Sequence, residues 1–72
     1  HFKLNKIDKA IPLLERSVEL EPQEAEITDH LGDAYWKNGR VKEARVLWKR
    51  ALGLNGSEKI NINLKMKLEH GL

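Results

Sequence analysis

KININLKMKLE, residues 59–69, alternates apolar and polar positions without a miss, with Ile60, Ile62, Leu64, Met66 and Leu68 set among Lys and Asn. A period of two is the pattern of a half-buried strand. On a helix turning about 100° per residue, however, Ile60, Leu64 and Leu68 lie within about 80° of one another, and Ile62 and Met66 form a second stripe roughly opposite. The stretch alone fits both structures, so the rest of the chain decides. A strand needs a pairing partner, and no other segment alternates in this way; an unpaired edge would invite aggregation. The expectation is therefore a helix from Ser57 to His70, with Ser57 as its N-cap.

Outward from this stretch the spacing is helical. In VKEARVLWKRALGL, residues 41–54, Val41, Ala44, Leu47, Trp48, Ala51 and Leu52 recur at helical intervals, and Asn55-Gly56-Ser57 marks the end. Before it, Ile27, Leu31, Ala34 and Tyr35 carry one apolar stripe, which Asn38-Gly39 stops with a pair that tolerates the left-handed conformation. In KIDKAIPLLERSVELEP, residues 6–22, Ile7, Ala10, Ile11, Leu14 and Val18 form one face of a helix from about Lys6 to Leu20. Pro12 removes a backbone donor inside that segment, and a mild kink is expected there. Glu21-Pro22 ends the helix, and the proline suits the opening of the next.

At 72 residues the chain has room for one small domain, and a fold of this size buries only about 60% of the surface its unfolded form exposes. Without cysteine or an evident Cys/His metal cluster, helix packing or association must supply the stability. Thirteen cationic side chains are nearly matched by eleven anionic ones, for a net charge of +2, so the balance does not imply nucleic acid. No apolar run approaches the roughly 18 residues of a membrane span, and membrane insertion is not expected. The first residue is His1 rather than Met, which suggests a piece of a longer protein.

Sliding the chain on itself by 34 residues pairs Ala10 with Ala44, Leu14 with Trp48, Ser17 with Ala51, Leu20 with Leu54 and Pro22 with Gly56. Between the paired helices lies HLGDAY, in which Leu31, Gly32 and Tyr35 have the L-G-x-x-Y spacing. With Ala44, Trp48 and Ala51 this resembles the tetratricopeptide repeat. The resemblance covers one whole repeat and the second helix of another. Thr28 stands where the family has an early Trp, and Gly56 where the second repeat would have its loop Pro. The resemblance implies an all-α array of antiparallel helices forming a superhelix. Residues 1–21 are then the second helix of a truncated repeat, 22–56 a complete repeat and 57–72 a C-terminal capping helix. With a loop one residue short of the family norm, Leu64 and Leu68 take the places of Leu31 and Tyr35, and Lys65 falls where Gly32 sits.

The family's role implies protein–protein interaction, a scaffold whose groove is lined by the first helix of each repeat. In this chain the matching positions are Glu26, Asp29, Asp33, Trp36 and Lys37, with Phe2 and Lys3 from the truncated repeat. Asp29 and Asp33, four apart, share a face and repel unless a cation arrives. Beside them Trp36 offers a flat contact, a combination suited to a basic or mixed peptide segment; the alternative is a solvated charged face with a half-buried Trp. Ile62 and Met66 either project toward the concave side or pack against a neighbouring helix or a second copy.

Lys42, Arg45 and Lys49 make a basic stripe. The 34-residue shift sets Asp8 opposite Lys42 and Glu15 opposite Lys49 as stacking ion pairs, and binding of nucleic acid by the stripe is the weaker reading. Asp29, His30 and Asp33 are the only compact titratable set, with no nucleophile or third ligand nearby. Neither enzymatic activity nor a cofactor nor a metal is expected. Because the first helix of the leading repeat is missing, Ile7, Ile11 and Leu14 are expected to be uncovered. Self-association follows as an expectation, as does the alternative of a purely structural cap.

Overall fold

The computed structural model describes residues 2–54 and 56–72, with side chains described from Lys9 onward apart from Asn55. Four helices follow one another: α1 (Phe2–Leu20), α2 (Ala25–Lys37), α3 (Val41–Gly53) and α4 (Glu58–His70). The alternating stretch is thus helical, and no strand occurs among the described residues. Ser57 caps α4 as expected, its hydroxyl accepting a hydrogen bond from the Ile60 amide at 3.3 Å. This satisfies one of the donors that a helix start leaves open.

Local chemistry accounts for the other boundaries, with two corrections. α1 begins at Phe2, a turn earlier than the periodicity gave, and runs through Pro12 without a break. Pro12 lies on the exposed side of the helix, where water can serve the carbonyl that the missing N–H leaves free. Pro22 sits in the turn rather than at the start of a helix; α2 begins only at Ala25, after the Glu24 amide has bonded the Glu21 carbonyl at 3.1 Å. Asn38 caps α2, and Gly39 follows with a φ of 83°.

α2 is the central element, packed on one side by α1 and on the other by α3, while α4 leans on α3 and also reaches α2. The α2–α3 seam is held by small residues. A Cβ on Gly32 would stand 2.6 Å from Cδ1 and Nε1 of Trp48 and 3.3 Å from the Ala44 carbonyl oxygen. Gly32 therefore lets the indole lie directly on the α2 backbone, and Trp48, Ala44 and Ala51 are wholly buried. Close approach of this kind is what interior packing density demands.

One expectation about the α1 edge fails. Ile11 is only 6% exposed, and Leu14 and Val18 pack against the core, because α2 covers that stripe. Among the described side chains, the large apolar ones that α1 leaves uncovered are Leu13 and Leu20, 71% and 67% exposed; the side chain of Ile7 lies outside the described set. Thr28, at the family's early Trp position, is fully buried, and its hydroxyl has no partner among the described residues, which costs about 1–3 kcal/mol.

Candidate functional site

Glu26, Asp29, Asp33, Trp36 and Lys37 recur three and four apart on α2 and so share one face. The fold treats its two ends and its middle differently. Glu26 and Lys37 are exposed. Asp29 is 8% exposed, and the cation that the acidic pair calls for comes from within the chain. Lys67 of α4 places its ammonium 2.7 Å from Asp29 Oδ1 and 3.0 Å from Asp33 Oδ1. Asp33 Oδ1 also accepts a hydrogen bond from Trp48 Nε1 at 3.1 Å. One carboxylate thereby ties α2 to α3 and α4 together.

Burial pulls the Lys67 ammonium toward losing its proton, but the hydrogen bonds it donates to Asp29 and Asp33 and their charges outweigh it and hold its pKa above the ordinary 10.5. A cation hydrogen-bonded by two carboxylates in a partly dry site keeps its charge.

Trp36 is half-buried. One side of its indole stacks on Trp48, with ring centroids 5.4 Å apart and planes 28° from parallel. Gly71 adds a further contact after α4 ends: with a φ of 79°, it turns where a side chain would be strained, and a Cβ there would run into the six-membered ring of Trp36. Lys67 and Gly71, four apart, thus occupy the acidic pair and the aromatic that the sequence offers either to a partner or to solvent.

α4 has two unlike faces. Leu64 is wholly buried, and Ile60 and Leu68 pack partly buried against the core. Opposite them, Ile62 and Met66 are 52% and 57% exposed. Lys65, at the Gly32 place, is exposed as well. Phe2 and Lys3 belong to the residues whose side chains lie outside the described set.

The basic stripe, Lys42, Arg45 and Lys49, is exposed along α3. The expected Glu15–Lys49 pair does not form: the carboxylate of Glu15 instead accepts the hydroxyl of Tyr35, a buried phenol that needs an acceptor. Burial first, then this hydrogen bond and the charge of Glu15, push the Tyr35 pKa up to about 12. The side chain of Asp8, the other expected partner, lies outside the described set. A cavity of about 290 Å³ opens beside Tyr35, lined by Lys42, Glu43, Val46 and Leu47. His30 is exposed, and no group of three or more His, Cys, Asp or Glu that could hold a metal occurs among the described residues. No helix of the described chain is long and apolar enough to cross a membrane.

Sequence reading missed Lys67 and Gly71. The first left a faint signal, since Lys67 stands one place beyond the α4 counterpart of Asp33 at the 33-residue shift that relates α2 to α4. The second left none.

A family model described as Tetratricopeptide repeat matches residues 1–58. Comparison with curated proteins and with solved structures gave no match.

Proposed function

Because the chain belongs to the tetratricopeptide-repeat family, whose general role is protein–protein interaction or scaffolding, we propose that it is a scaffold segment that anchors a protein partner on the Ile62–Met66 stripe of α4. The exposed ends of the α2 face, Glu26 and Lys37, remain open to solvent. The observation that carries this reading is the exposure of two large apolar side chains, 52% and 57%, one helical turn apart on a helix whose other side is core. Apolar side chains grouped on a surface mark interaction sites more often than scattered ones do.

In this reading Asp29, Asp33 and Trp36 serve first to seat α4. A basic segment binding there would have to displace Lys67 from the carboxylates and Gly71 from the indole. The segment works as one unit and performs no reaction, in keeping with the family's generally non-catalytic modules. Binding of nucleic acid through Lys42, Arg45 and Lys49 is the weaker reading, since thirteen cationic side chains are nearly matched by eleven anionic ones and such binding relies on a positive field.

The test is affinity capture with the wild-type chain and with the Ile62→Lys, Met66→Lys variant, whose helicity should match in far-UV circular dichroism. Proteins retained by the first are expected to be lost by the second. An unchanged set of retained proteins would refute the anchor.

A further inference from the structure

We infer that the outer face of α4 is a two-fold contact surface for a second copy of this chain. The inference rests on the interaction reading above and names the partner at that surface. Taking about 100° per residue, Lys59, Ile62, Met66 and Glu69 fall within about 80° of one another on the side opposite Leu64. Glu58 and His70 stand at the edges of that face. Glu58, Lys59, Glu69 and His70 are exposed along with the apolar pair, and the imidazole of His70 lies 3.8 Å from the Glu69 carboxylate.

The order of these residues is self-complementary about Leu64. Ile62 and Met66 lie two residues on either side of it, Lys59 and Glu69 five, Glu58 and His70 six. An antiparallel pair of α4 helices with its two-fold axis at that level sets Ile62 against Met66 of the second copy. Lys59 then meets Glu69, a contact that occurs twice as an isologous interface requires, while Glu58 and His70 border the face on opposite edges. Parallel pairing would instead put Lys59 on Lys59 and Glu69 on Glu69, which costs free energy. The α1 stripe of another copy is a poorer match, because Leu13 and Leu20 are accompanied by Lys9 and Arg16, which offer Lys59 no acid. The apolar centre is two side chains wide, so the dimer is a weak one that salt weakens further.

Sedimentation equilibrium of the full chain from about 10 μM to about 1 mM, the range of a small interface, tests the inference. The expected result is a monomer–dimer equilibrium. Lys59→Glu and Glu69→Lys each weaken it about tenfold, because each reversal turns two attractive pairs into repulsive ones. The two reversals combined restore it to within about threefold of wild type. All of these positions are exposed, and far-UV circular dichroism checks that the helices persist. A monomer at every concentration, or a combined variant no tighter than the single ones, overturns the inference. If the chain is monomeric yet the Ile62→Lys, Met66→Lys variant still loses captured proteins, the interaction reading survives and the second copy as partner does not.

Discussion

α2 and α4 stand at corresponding places 33 residues apart, yet the stripe that each offers to the next neighbour is built from opposite chemistry. Asp29 and Asp33 on α2 receive Lys67; Ile62 and Met66, 33 residues on, lie open. The carboxylate pair specifies one cation at one height and so fixes the register of α4. The apolar pair specifies little beyond area. Polar contacts between these helices select geometry, while the outer face of α4 offers apolar area without selecting any geometry.

The contrast depends on the α2–α3 seam beneath it, and breaking that seam has the largest expected effect. Gly32→Val forces a side chain onto the buried Trp48 ring. It should cost about 3 kcal/mol or more, enough on a chain this short to leave most molecules unfolded in a urea melt extrapolated to water. The two faces of α4 can then be set against each other. Leu64→Ala, at a wholly buried site, should cost about 2–3 kcal/mol, whereas Met66→Ala should change stability by less than about 0.5 kcal/mol; urea midpoints measure both.

Raising the pH sharpens the contrast more gently. Tyr35 and Lys67 both hold their protons more tightly folded than unfolded. Their contribution is complete below about pH 10, where both groups stay protonated in either state. It is lost as pH rises past the unfolded tyrosine value of 10.0 and lysine value of 10.5 toward the folded Tyr35 value of about 12. Thermal melts should be flat from about pH 8 to pH 9.5 and decline above pH 10, and Lys67→Met should reduce the decline.

Much of this arrangement was legible in the sequence for physical reasons. Gly32, Ala44 and Ala51 announce a close crossing because a larger side chain has no room there. The alternation in residues 59–69 resolves into core and surface once a helix is assumed. The electrostatic seating of α4 was harder to read. Asp29 and Asp33 advertise a need for a cation without saying whether it comes from the same chain, and Lys67 was passed over as one lysine among several on α4. The fold of Gly71 over Trp36 depends on a single positive φ and on the direction in which the chain turns, neither of which leaves a period. The exposure of α1 departs from expectation because α2, and not an absent neighbour, covers Ile11 and Leu14.

A double-mutant cycle between Asp29 and Lys67, using Asp29→Asn and Lys67→Met in urea unfolding, tests most directly whether α4 is seated on α2 by this ion pair. The account predicts a coupling free energy of about 1–2 kcal/mol, more than an exposed pair provides, because both side chains are largely shielded from water. Coupling within about 0.3 kcal/mol of zero would contradict it.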